Sequence, residues 1–217
     1  MKESKIPHNI VFDIGGVLAE ICHSWEEAAQ VSGVQCRNLG DGRTGLASLD
    51  AFDQYQAGAI GLDEYVVRLA EFVGCLPDEA LRVHNGIIVE EFPGVADLIA
   101  ELQLLGCRMG CLSNTNQPHW EELALNGRYP TIHKLEMKMA SFLVGLNKPS
   151  PEIFELYCKT FGLEPNDIAF FDDYQVNVDS ALTCGWQAKR IDPSHDTPAQ
   201  IREFLRGLGV TQVNAIA

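Results

Sequence analysis

Asn9-Ile10-Val11-Phe12-Asp13-Ile14-Gly15-Gly16 sets a strand, a carboxylate and a glycine turn side by side. Asn9 to Asp13 has the length and apolar content of a short buried strand, and two glycines let the backbone pass close to whatever Asp13 faces. The arrangement recurs twice. Cys107–Leu112 runs into Ser113-Asn114-Thr115-Asn116, and Ile168–Phe171 runs into Asp172-Asp173. Helical spacing covers Val95–Leu105 and Pro151–Phe161, stopped by Gly106 and Gly162. Asn177–Cys184, Gln187–Ile191 and Pro198–Leu208 read as helix, strand and helix, and Ile132–Met137 as a weaker strand. This alternation predicts an α/β fold: a Rossmann-like parallel sheet with helices on both faces.

Residues 24–92 break the pattern. They carry helical spacing with no alternating strand signal, and Asp63-Glu64 and Pro77 suit first helical turns. The segment is too long for a simple crossover. It predicts an inserted α-helical cap over residues 20–90, with residues 1–19 and 91–217 forming the core.

Composition narrows the partners. The 217 residues hold 16 Lys and Arg against 30 Asp and Glu, a net charge of −14. So acidic a chain argues against nucleic acid and anionic membranes, which are met by basic surface. No apolar run approaches the roughly 18 residues of a membrane span, and no apolar segment follows the polar N-terminus. The seven cysteines form no C-x-x-C set, so reduced thiols in a cytoplasmic protein are expected. An anionic small molecule stays open, provided that a local positive site receives it.

Such a site is legible at the strand ends, where open parallel sheets bind ligands. Asp13 and Asp173 are hard oxygen donors suited to Mg2+. Ser113 and the backbone N–H groups of its turn can hold phosphate oxygens. Lys148, ahead of Pro149-Ser150-Pro151, adds a cation able to pair with a nucleophile and a phosphate.

V-F-D-I-G-G-V-L, C-L-S-N-T-N, N-K-P-S-P-E-I-F and F-F-D-D-Y-Q-V-N-V resemble, in order and spacing, the four motifs of the haloacid dehalogenase superfamily. Within it they are similar to the helically capped (C1, subfamily I) branch that contains bacterial α-D-glucose-1-phosphate phosphatase. The resemblance implies a Mg2+-dependent phosphomonoester hydrolase. Asp13 would be the nucleophile, forming an aspartyl-phosphate. Asp13, the Gly15 carbonyl and Asp173 would bind the metal, with Asp172 direct or through water and Asn177 supporting through water. Ser113 and the Asn114 backbone would grip the phosphoryl group, and Lys148 would stabilise transition-state charge. Monomer and homodimer are both compatible with the family.

Gly15 departs from the pattern. Most phosphatases of the family carry there a second Asp, which serves as acid toward the leaving group and base toward water, a role worth ~10²–10⁴-fold. Three readings follow: a phosphatase with a substitute acid, a metal-independent 2-haloacid dehalogenase whose halide needs no proton, or a catalytically weak protein that binds phosphate or a partner. The branch resembled also tends to have Gly here, whereas dehalogenases carry an aromatic residue. Glu20 is the first candidate for the substitute acid, followed by His23 and His119. The polar loop Arg37, Asn38, Asp41 and Arg43 is a candidate to reach over the site, and Arg43 and His119 are candidates for substrate binding. Trp25 and Trp120 are candidates to stack on a sugar. Residues 20–90 carry four basic and twelve acidic residues, which favours an uncharged leaving group and hence a small sugar phosphate.

Overall fold

The computed structural model describes residues 6–40, 44–125 and 127–210. β1 (Asn9–Phe12) is buried along its whole length. The glycine turn leads from it into β2 (Ala19–Ile21). Four helices follow: α1 (Trp25–Ser32), α2 (Asp50–Gln56), α3 (Leu62–Val73) and α4 (Pro77–Asn85). The Ser24 hydroxyl caps α1 by accepting from the Glu27 N–H, and Pro77 opens α4 with no donor to waste. β3 (Ile88–Glu91) then returns antiparallel to β2. The rest of the chain runs α5 (Val95–Leu104), β4 (Arg108–Ser113), α6 (Gln117–Trp120), α7 (Pro130–His133), β5 (Met137–Ala140) and α8 (Ser141–Val144). It closes with α9 (Pro151–Phe161), β6 (Ile168–Asp172), α10 (Gln175–Thr183), β7 (Gln187–Arg190) and α11 (Thr197–Gly207).

Five strands form a parallel sheet in the order β5-β4-β1-β6-β7. Successive side chains of a strand point to opposite faces, and here both faces are covered. Ile10, Phe12, Cys111 and Phe171 meet Leu98 of α5 and Ile201 of α11. Val11, Leu112 and Phe170 meet Phe154 and Tyr157 of α9. Double coverage is why the strands read as continuous apolar runs rather than alternating ones. β1 lies between β4 and β6, so Asp13, Ser113 and Asp172 emerge side by side at the same sheet edge, where the chain order reverses. The α/β architecture expected from the sequence is the one observed.

Two local expectations fail. Residues 24–92 are not wholly helical: β3 lies at their end, because the β-branched run Ile87-Ile88-Val89 finds a partner in β2, which residue spacing alone does not reveal. Ile132–Met137 is not a strand. Pro130 starts a helical turn instead, and pairing begins at Met137, in register with Gly110. The helical segment also has a core of its own, in which Trp25, Phe52, Tyr65, Leu69 and Val83 pack together. Among the described residues no helix is long and apolar enough to cross a membrane, and none of the seven cysteines is in a disulfide.

Candidate active site

The edge of the sheet and the helical segment enclose a cavity of about 230 Å3. Asp13, Ser113, Asn114, Lys148 and Asp173 line it from below. Leu46, Ala47, Phe52, Asp53 and Gln56 line it from the helical side. The two sides are tied together. The Gln56 amide donates to the Asn114 carbonyl (3.2 Å), Ser141 Oγ donates to the Gln56 carbonyl (2.6 Å), and the Asn147 amide donates to the Asp53 carbonyl (3.1 Å).

Lys148 is the hinge of the charge arrangement. Its ammonium is buried, 3.1 Å from Asp13 Oδ1 and 2.6 Å from Asp172 Oδ2. Burial opposes its charge, but the two carboxylates outweigh this and hold its pKa above the ordinary value. The Asn114 side chain fixes the Lys148 backbone from both directions, accepting from its N–H (2.8 Å) and donating to its carbonyl (2.9 Å). The sequence assigns Asn114 only a backbone role, and nothing in the spacing of residues 114 and 148 signals this clamp.

Asp13, Asp172 and Asp173 bring carboxylate oxygens within 4.8 Å of one another. Their environments differ. Both oxygens of Asp172 are spent, Oδ2 on Lys148 and Oδ1 on the Tyr174 N–H (2.9 Å) and the Asn177 amide (2.9 Å). Asn177 thus supports Asp172 directly. Asp173 Oδ1 is buried with no hydrogen-bond partner. Burial, then the like charges of Asp13 and Asp172, push the Asp173 carboxyl up to about 8. Burial also pushes Asp13 up to about 6, with Lys148 pulling down and Asp172 adding to the rise. An orphaned carboxylate oxygen beside two more carboxylates is a donor set that fits a hard divalent cation. Gly16 makes the approach possible: its φ is +72°, and a Cβ there would lie 2.7 Å from Asp173 Cγ.

The remaining candidates separate cleanly. Glu20 and His23 are exposed and do not line the cavity. Trp25 and Trp120 are buried in the apolar clusters, away from the cavity lining. Arg37 and Asn38 bind the carbonyls of residues 71–74 at the end of α3. Asp41 and Arg43 lie outside the described residues. His119 lines the cavity, yet it is buried and committed. Its Nε2 meets the His84 carbonyl at 2.9 Å and its Nδ1 meets the Asn116 amide at 3.2 Å. His84 stacks on it with centroids 4.1 Å apart, and itself bonds Tyr65 Oη (2.9 Å) and Asn116 Oδ1 (3.1 Å). Burial lowers the pKa of His119 to about 4 and holds that of His84 well below its ordinary range. No sequence signal marked Asp53 or Gln56. They sit one helical turn apart in α2, within a stretch that reads only as amphipathic.

The sequence pattern of the haloacid dehalogenase-like hydrolases matches residues 8–185. Phosphatase MT3486 of Mycobacterium tuberculosis is 25% identical over 214 residues, covering 92% of this chain and 94% of the relative. The D-ribitol-5-phosphate phosphatase of Bacteroides thetaiotaomicron is 27% identical over 211 residues, covering 91% and 98%. In fold, the chain is similar to a haloacid dehalogenase family enzyme of Bacteroides thetaiotaomicron solved with magnesium. The TM-score is 0.74 at 24% identity, over 91% of this chain and 100% of that one.

Proposed function

The chain belongs to the haloacid dehalogenase-like hydrolase family, and on that premise we propose that it is a Mg2+-dependent phosphatase of small phosphomonoesters. The observation that carries this reading is the charge arrangement at the strand ends: Asp13 bonded to a buried Lys148, beside an Asp173 oxygen with no partner. The naming of both similar relatives as phosphatases supports it.

Asp13 is the nucleophile, and its carboxylate takes the phosphoryl group to give an aspartyl-phosphate. Lys148, held by Asp172 and by the Asn114 clamp, keeps a positive charge against the phosphoryl oxygens as the bond to the leaving group breaks. Ser113, at the mouth of β4, bonds a phosphoryl oxygen. Asp13, the Gly15 carbonyl and Asp173 hold the cation. When bound, it offsets the repulsion between carboxylates and phosphate and polarises the phosphoryl group. Asp172 serves chiefly to orient Lys148, since its own oxygens are taken. Residues 20–90 act as the cap and residues 1–19 and 91–217 as the catalytic core of a cytoplasmic enzyme, monomeric or dimeric, without a nucleic-acid partner. The acidity of residues 20–90 favours an uncharged leaving group, and sugar phosphates are the first class to test.

Phosphate release is measured from sugar phosphates, nucleotides and phospho-acids, with and without magnesium, beside an Asp13→Asn control. Magnesium-dependent release that disappears in the control is expected. A folded protein that releases no phosphate from any substrate overturns the reading, and chloride release from 2-chloropropionate without metal replaces it with a dehalogenase.

A further inference from the structure

The missing acid at position 15 is a question that the cavity itself narrows. A Cβ on Gly15 would meet the Ile21 side chain at 3.0 Å. An aspartate there would have to displace the tip of Ile21, and glycine has no proton to give, so the proton must come from elsewhere. Six titratable side chains among the described residues line the cavity: Asp13, Asp53, His119, Lys148, Asp173 and Tyr174. Asp13 and Asp173 are engaged in nucleophilic attack and cation binding, and Lys148 is pinned between two carboxylates. His119 has both ring nitrogens committed. Tyr174 directly follows the cation ligand Asp173 and so lines the cavity from the core side, with Asp13.

Building on the phosphatase reading, we infer that Asp53, on cap helix α2, is the general acid–base group that replaces the carboxylate absent at Gly15. It lines the cavity from helix α2 of the cap, whereas Asp13 lines it from the edge of the sheet. In an in-line displacement the leaving group departs on the side away from the nucleophile, and the hydrolytic water later attacks from that same side. One carboxyl there serves both steps. The helix is held against the core through its backbone: Asn147, next to Lys148, bonds the Asp53 carbonyl, and Gln56 bonds the Asn114 carbonyl. The carboxyl itself makes neither bond. Partial burial and the neighbouring Asp50 raise its pKa, which favours the protonated form that a donor needs.

The steps balance. The bond from phosphorus to the ester oxygen breaks as the bond to the Asp13 carboxylate forms. The protonated Asp53 gives its proton to the departing oxygen, which leaves as an alcohol. Asp53, now a carboxylate, takes a proton from water as the water oxygen attacks phosphorus. The bond from phosphorus to Asp13 breaks, inorganic phosphate is released, and both aspartates return to their starting states.

The test is Asp53→Asn, followed in the first turnover with two substrates. p-Nitrophenyl phosphate expels a stable anion and needs no proton, whereas an alkyl phosphate does. The variant should give a burst of p-nitrophenolate near the wild-type rate, followed by slowed steady-state turnover, because the water loses its base. Its first turnover of the alkyl ester should slow by ~10²-fold or more. Its magnesium affinity, read by calorimetry, should match that of the wild type. Equal slowing of both first turnovers, or slowing of neither, overturns the assignment. A wild type inactive on both esters fails the phosphatase reading itself, which is a different result.

Discussion

Two buried polar clusters flank the same cavity and behave in opposite ways. Behind its wall, Tyr65, His84, Asn116 and His119 form a closed, neutral chain with each ring nitrogen bonded. On its floor, Asp13, Asp172, Asp173 and Lys148 set three carboxyls against one ammonium, with one oxygen unpartnered. Both are sealed from solvent to a similar degree. The first is complete and has nothing left to offer a ligand. The second is short of positive charge, and only something that arrives from outside can complete it. Burial alone therefore does not mark a functional cluster; an unmet electrostatic demand does.

The comparison can be broken most severely at Asp13. Asp13→Asn should remove phosphate release down to the assay background while the protein still folds, as read by phosphate release beside circular dichroism. Retained turnover would sink the nucleophile. Lys148→Met should come next. It leaves three carboxyls without their counter-charge, so metal-free stability should fall by about 3–5 kcal/mol in urea unfolding at pH 7. A loss below about 1 kcal/mol would mean that the pair is not what holds the floor together.

The pH responses of the two clusters carry opposite signs. The histidines bind protons less readily in the fold than in the unfolded chain. Their contribution is present above about 6.5 and is lost as pH falls, down to about 4 for His119. Asp13 and Asp173 bind protons more readily in the fold, so they cost stability as pH rises from their ordinary value toward about 6 and about 8. Magnesium satisfies only the floor. It should raise the urea midpoint more at pH 8 than at pH 5, and an equal increment at both would contradict the assignment of the cation to these carboxylates. The mildest test is His84→Phe, which keeps an aromatic ring but leaves Tyr65 Oη unpaired and removes one of the two bonds to Asn116 Oδ1. Stability should drop by about 1–3 kcal/mol with kcat unchanged. A fall in kcat in the folded variant would place the neutral chain within the chemistry.

Much of the site is legible locally because each residue closes a strand. Asp13, Ser113 and Asp173 can be found by reading apolar runs to their polar ends, and Lys148 by its helix-opening prolines. Asn114 as a clamp, Asp172 as the holder of Lys148, and Asp53 as a cavity residue are not legible that way. Each depends on a partner 24 to 94 residues distant, as in the Lys148–Asp172, Asn114–Lys148 and Asn147–Asp53 bonds. The reverse failure is instructive too. Trp25, Trp120 and His119 have the chemistry of ligand-binding side chains, but packing and hydrogen bonding consume them.

What the sequence determined by itself was the alternation of strand and helix and the identity of the groups at the strand ends. Hydrophobic period and turn chemistry are local, and they act before any long-range contact forms. Which of those groups keep an open valence was decided by tertiary structure alone. Whether a carboxylate oxygen is spent on a lysine or left bare, and whether Ile21 lies against Gly15 while α2 brings Asp53 to the same cavity as Asp13, depends on how residues remote in sequence are packed.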